Sequence, residues 1–161
     1  MAVQADPVQL TPQAMRAWMQ RLLNRAERVG ATGEIPVAAV LLDEAGRCIG
    51  HGSNRRECLN DPLGHAELMA LRQGAWLLGD WRMNHCTLMV TLEPCPMCAQ
   101  AISFARIRRL YFGASDEKGG GVENGAIVFN AKSCHHKPEV YGDIKSAAAA
   151  ALLKSFFKDR R

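Results

Sequence analysis

A layered α/β domain is the fold class this sequence predicts, on three observations. Short apolar runs of strand length alternate with segments of helical period, the order that lets helices cover a sheet. The 161 residues suit one domain with one full core, expected over residues 1–161. No internal repeat, linker or low-complexity tract divides them.

Taken in order, Thr11-Pro12 reads as a helix start, a hydroxyl cap followed by proline at the first helical position. Met15, Met19, Leu22, Leu23 and Ala26 then recur at helical spacing and mark a core-facing stripe, which Gly30 and Gly33 end. Pro36 to Asp43 is a nearly continuous apolar run, as in a strand covered on both faces. Glu44-Ala45-Gly46 is a tight turn, and Arg47 to Ser53 reads as the antiparallel return strand. Asn54 to Asp61 is polar and reads as a loop, and Glu67 to Leu78 as a helix. Thr87 to Leu92 is a buried strand that delivers Glu93 and the cysteine motif. Pro94 fits the first position of a helix running to about Ala105, and Arg109 to Ala114 is a further strand. Gly119-Gly120-Gly121 reads as a flexible loop. The pattern is weak from there to Asp143, with Ala126 to Phe129 the one candidate for a short strand. A long helix over 146–161 closes the chain, with Ser146 as its cap, five alanines, then Leu152, Leu153, Phe156 and Phe157.

Hydrophobic residues make up 48% and charged ones 22%, the balance of a soluble globular protein. No apolar run approaches the roughly 20 residues that span a bilayer. Met1 to Thr11 lacks the basic segment and apolar core of a secretory signal, and two of the six cysteines belong to a metal motif. A reducing cytoplasm is therefore expected, with Cys48, Cys58, Cys86 and Cys134 as packing or idle thiols. The net charge of +4 is mildly basic, short of the bias of a dedicated nucleic-acid binder. Two basic clusters stand out, Arg106, Arg108 and Arg109, and Lys154, Lys158, Arg160 and Arg161.

The chemistry lies in two short stretches, His65-Ala66-Glu67 and Pro94-Cys95-Pro96-Met97-Cys98. His65, Cys95 and Cys98 are zinc-ligand types, and cysteines three apart share one helix face. Three protein ligands leave a tetrahedral position for water, which separates catalytic from structural zinc. A helix N-terminus favours the thiolate form of the cysteines. Zinc brings the pKa of bound water toward about 7, supplying a nucleophile at neutral pH for an amine-bearing ring carbon. Glu67, beside the metal without being a ligand, is the candidate proton carrier, first base and then acid. His65 and Glu67 are two apart and do not share a helix face, so His65 is expected in an irregular first turn, with Asp61-Pro62 as its cap. This pairing of His-x-Glu with Pro-Cys-x-x-Cys is the nucleobase deaminase signature.

The sequence resembles the bacterial tRNA-specific adenosine deaminase family, which converts the wobble adenosine of an arginine tRNA to inosine. The likeness runs from Glu34-Ile35-Pro36-Val37 to Phe156-Phe157 and is most specific at His65-Ala66-Glu67, at Met69 to Gly74, at Val90 to Cys95, at Met97-Cys98 and at Phe112-Gly113-Ala114. It implies a cytidine-deaminase-like fold, a three-layer α/β/α arrangement with a five-stranded mixed sheet and the zinc between two helix N-termini. It also implies one Zn2+ per subunit, a homodimer, and a tRNA anticodon stem-loop as partner. His65, Cys95 and Cys98 carry over as ligands and Glu67 as the catalytic proton shuttle. Asn54 and Ala66 match positions at the nucleoside, and Asp116 and Lys118 match positions near the anticodon-loop backbone. Phe156, Phe157, Arg160 and Arg161 match a terminal helix that closes over the RNA, although aromatics of this kind are commonly core. The sequence departs from the family at Leu63-Gly64, where Thr-Ala is usual. His135 and His136 lack the paired cysteines or carboxylates that would complete a second metal site, and are expected in RNA-loop or structural roles. The alternatives are a deaminase of a free base or nucleoside, such as guanine or cytosine, and a non-catalytic zinc or RNA-binding module.

Overall fold

The computed structural model describes residues 9–160, so Arg161 lies outside the described residues. Helix α1 spans Pro12–Ala31, and the Thr11 side chain accepts a hydrogen bond from the Ala14 N–H, 3.1 Å away. Strands β1 (Ala38–Leu42) and β2 (Cys48–Ser53) form the expected hairpin. The short helix α2 (Arg56–Leu59) and helix α3 (Ala66–Leu78) follow. Strand β3 (Thr87–Leu92) leads into α4 (Pro96–Phe104), then β4 (Arg109–Ala114), β5 (Glu139–Tyr141) and α5 (Ser146–Lys158).

One five-stranded sheet runs in the order β2-β1-β3-β4-β5. The pairs β1–β2 and β1–β3 are antiparallel, whereas β3–β4 and β4–β5 are parallel, so the sheet is mixed. Alternation along β1 builds the layers. Ala39 and Leu41 face Ala70, Leu71 and Ile102 on the α3 and α4 side, while Ala38, Val40 and Leu42 face Met19, Leu22 and Ala26 of α1. Helix α5 joins α1 on that second face through the buried Ala149. At Gly52 a Cβ would strike the Ala66 carbonyl, so a glycine in β2 is what lets the start of α3 lie against the sheet.

Several expectations are corrected. The fifth strand is Glu139–Tyr141, and Ala126–Phe129 is no strand, since Val128–Asn130 forms a 3₁₀ turn. No apolar alternation marks β5, because its residues sit at an open sheet edge. It forms because β4 offers a free edge, to which the Glu139 N–H bonds through the Arg108 carbonyl at 2.9 Å. Arg109 Nε donates to the Glu139 carboxylate at 2.9 Å, and the rings of Tyr111 and Tyr141 stack 4.9 Å apart. Arg109 is thus buried and ion-paired, apart from the half-buried Arg106 and Arg108 of its expected cluster. Pro96, not Pro94, starts α4, and Ser146 is the first residue of α5 rather than its cap, with its hydroxyl bonded to Asp143. The polar segment after Asn54 contains α2. Cys48 and Cys58 are exposed, Cys86 and Cys134 buried. Burial raises the Cys86 thiol to about 11, the behaviour of an inert packing residue. Among the described residues no helix is long and apolar enough to cross a membrane.

Candidate active site

Two helix N-termini meet where the sheet ends. His65 is the N-cap of α3 with extended backbone, φ −88° and ψ 146°. That non-helical cap conformation resolves the spacing difficulty, because His65 is free of the helical face and Glu67 points inward from the first turn. Asp61 caps the turn ahead of it, its side chain accepting from the Leu63 N–H at 2.9 Å, but it does not cap α3 itself. Cys95 is the N-cap of α4, also extended, and Cys98 lies in the first helical turn. Both cysteines and the histidine therefore sit where unpaired N–H groups and the helix dipole favour negative charge.

The three side chains converge across 33 residues of chain. Nδ1 of His65 lies 3.6 Å from the Cys95 Sγ and 3.5 Å from the Cys98 Sγ. All three candidate ligand atoms fall within 4.8 Å of one another, the one such cluster among the described residues. Two soft sulfurs and an imidazole nitrogen form a donor set that fits zinc. A hydrogen bond from Cys98 holds Cys95 well below the usual thiol range, and His65 adds to this against burial. As the donor of that pair Cys98 is held up as the thiol, and burial adds to the effect. The bond to Cys95 also raises His65.

Glu67 is 4% exposed. Burial raises its carboxyl to about 7, and its own backbone N–H and the neighbouring His65 only partly offset this. It lines a cavity of about 210 Å³ with His65, Ala66, Cys95, Asn54 and the apolar side chains Ile35, Val37 and Leu92. A larger groove of about 830 Å³ opens beside it, sharing Ile35, Leu92 and Asp116 and continuing past Lys118, Lys154 and Phe157.

The expected substrate residues separate into groups. Asn54 and Ala66 are in the small cavity, and Asp116 lies at the junction of cavity and groove. The Asp116 carboxylate faces its own loop, accepting from the N–H groups of Lys118 (3.1 Å) and Gly119 (2.9 Å). Lys118 and Phe157 line the groove and are exposed. Phe156 is buried, and Arg160 stacks over it at 3.7 Å while donating to the carbonyls of Phe156 and Gly30. Arg160 therefore clamps α5 to the end of α1. Leu63 and Gly64 stand outside the cavity lining. His136 is structural: its ring nitrogen Nε2 lies 2.6 Å from the Ile107 carbonyl, and its own carbonyl accepts from Ser103 at 2.7 Å. His135 is exposed.

Sequence reasoning missed two acids that hold the cavity walls. Glu34 accepts from the N–H groups of Cys58 (2.7 Å) and Glu57 (3.3 Å), fixing the segment that follows Asn54. Burial opposes its ionisation, but those donors, with Arg55 nearby, outweigh it and hold its pKa below the ordinary value. Glu93 accepts from Asn124 and Ser115 across the loop after β4. Both lie in stretches that carry the resemblance, Glu34-Ile35-Pro36-Val37 and Val90 to Cys95, but the sequence assigned neither a role.

Residues 12–114 match the family described as the cytidine and deoxycytidylate deaminase zinc-binding region. A tRNA-specific adenosine deaminase of Agrobacterium fabrum is 46% identical over 144 residues, which cover 89% of this chain and 94% of that one. A solved structure from work on A-to-I editing by tRNA:A34 deaminases at the wobble position of transfer RNA has a TM-score of 0.82. It is 46% identical and covers 85% of this chain and 99% of its own. A guanine deaminase from Bacillus subtilis is 35% identical with a TM-score of 0.58, covering 62% of this chain and 63% of its own.

Proposed function

This chain belongs to the tRNA-specific adenosine deaminases of the cytidine and deoxycytidylate deaminase family, zinc enzymes of wobble adenosine-to-inosine conversion, and we propose that it acts on the anticodon loop of an arginine tRNA, as a cytoplasmic homodimer, with Glu67 as proton carrier. The observation that carries this reading is a buried carboxylate beside a three-ligand zinc set, in a small cavity that opens into a long, partly basic groove. The cavity is smaller than the roughly 300–1,000 Å³ of sites for drug-sized ligands. It suits a single base turned out of a loop, with the flanking nucleotides along Lys118, Lys154 and Phe157.

The net reaction consumes adenosine and water and releases inosine and ammonia. Zinc held by His65, Cys95 and Cys98 supplies the Lewis acidity that makes water nucleophilic at neutral pH. Glu67 takes the water proton on a carboxylate oxygen and passes it to the adjacent ring nitrogen. It then takes the second proton from the hydroxyl now bonded to C6 and delivers it to the amine. The C–N bond breaks to release neutral ammonia, and the C6 oxygen is left as the carbonyl of inosine. A carboxyl raised to about 7 is matched to both directions of transfer near neutral pH. Asn54 and Ala66 hold the nucleoside, and the walls Ile35, Val37 and Leu92 exclude bulk water. Support for a homodimer comes from large exposed apolar side chains near the C-terminal end of α3, on the segment after it and at the end of α4: Trp76 is 84% exposed, Trp81 53% and Phe104 63%.

The test is deamination of an arginine-tRNA anticodon stem-loop by the purified protein. Inosine at the wobble position, with no turnover of free guanine, is the expected result. Rapid turnover of guanine with an untouched stem-loop overturns the reading.

A further inference from the structure

Glu93 is the residue that joins strand β3 to the turn carrying Cys95, and it is 2% exposed. A buried carboxylate is costly, and among the described residues no cation is ion-paired with it. Its oxygens face hydrogen-bond donors instead. One accepts from the Asn124 side-chain amide at 2.8 Å and from the Ser115 hydroxyl at 3.4 Å. The other accepts from the Asn124 backbone N–H at 3.3 Å. Asn124 also donates to the Ser115 hydroxyl at 2.8 Å, which closes a small polar knot.

That knot sits where the loop after β4 crosses the cysteine turn. The Gly121 N–H donates to the Pro94 carbonyl at 2.8 Å. A Cβ on Gly121 would come within 2.5 Å of the Pro96 nitrogen, so the two backbones are in direct contact. The glycine run expected to be flexible is therefore packed down at Gly120 and Gly121, both buried. The same loop forms a wall of the cavity through Asp116 and Gly119.

We propose that Glu93 is a positioning residue for substrate: its buried carboxylate latches Asn124 and Ser115 to the cysteine turn and so sets where Asp116 and Gly119 stand against the incoming nucleoside. The inference rests on the cavity being the nucleoside site. Glu93 itself also lines the cavity, but the latch acts through the loop. Recovery in a reciprocal pair that leaves an amide at position 93 separates it from a direct contact of the carboxylate with substrate. A carboxylate is needed because the groups facing it are donors. Glutamine would turn an NH2 group toward one of them and open the knot.

The experiment compares wild type with Glu93→Gln, Asn124→Ala and the reciprocal pair Glu93→Gln/Asn124→Asp, in which the introduced side-chain amide can donate to the introduced carboxylate. Zinc content, kcat and KM on the anticodon stem-loop are measured together. Both single variants raise KM about tenfold, keep one zinc per chain and lower kcat less than about threefold; the pair recovers most of the KM. A fall in kcat or zinc content with KM unmoved overturns the proposal, since that is what a merely structural brace of the metal turn would do. So does a pair variant no better than Glu93→Gln. Asn124→Ala cuts the same latch from the loop side and keeps the test open should Glu93→Gln fold poorly. Hydrogen exchange reads the latch without any substrate: the Gly121 and Asn124 amides exchange about tenfold faster in the single variants and slow again in the pair. If wild type leaves the stem-loop untouched, the substrate reading has failed while the latch is still decided by exchange. Unchanged exchange overturns the latch itself.

Discussion

The metal side and the substrate side of the cavity are built by different means. On the metal side, His65, Glu67, Cys95 and Cys98 occupy the first positions of two regular helices, and the helix ends themselves set their geometry. On the substrate side, the 115–125 loop, α2 and the end of α5 are irregular or marginal and depend on side-chain bonds to distant residues. The lesson is one of separable failure. A change on the metal side should abolish chemistry and leave the fold, whereas a change on the substrate side should shift binding or local stability and leave the chemistry.

The strongest way to break this contrast is Glu67→Ala. Turnover should fall by about 10²–10⁴-fold with zinc content unchanged, as metal analysis and single-turnover assays would report. Retained activity would remove Glu67 from the mechanism. Next in size is Phe156→Ala on α5, which empties a buried site under Arg160 and should cost about 3 kcal/mol in denaturant unfolding. Its neighbour sharpens the point. Phe157→Ala, at a position 46% exposed in the groove, should stay within about 0.5 kcal/mol in stability and raise KM for the stem-loop instead.

A pH series on Glu34→Gln tests the α2 wall. The folded-state pKa of Glu34 lies below its ordinary value, so its contribution is present above that value and is lost as pH falls through the folded pKa. The variant should therefore be less stable than wild type at neutral pH, and thermal melts should show the gap closing below about pH 4. A gap that is constant with pH would mean the carboxylate charge is not what holds Cys58 and Glu57. The smallest effect is expected from Lys118→Ala. A lysine that meets one phosphate should lower the salt slope of RNA binding by about 1, and an unchanged slope would return Lys118 to ordinary surface.

Much of the metal side was legible in the sequence, because each of its signals is local. Cap positions, proline at a helix start and the spacing of two cysteines act over a few residues, and apolar runs mark the buried strands that deliver them. The exception was the starting residue of α4, where Pro94 and Pro96 both satisfy the same backbone rule and only the helix itself distinguishes them. The substrate side was legible only as a resemblance. Asp116 shows why: its type and position fit a binding role, yet its carboxylate faces the N–H groups of its own turn. Phe156 and Phe157 are the same residue type side by side, and only packing against α1 decides that one is buried and the other lines the groove.

By itself the sequence determined the layered α/β class, the zinc donor set and the acid beside it, since periodicity and short-range spacing carry that information. Tertiary structure alone decided the fifth strand, the seating of the glycine loop and the latch at Glu93. Strand β5 has no apolar alternation to announce it and exists because the edge of β4 offers unpaired backbone groups. The loop is ordered by a carboxylate 31 residues away from Asn124. Contacts of that range follow from which backbones are brought together, and no local pattern encodes them.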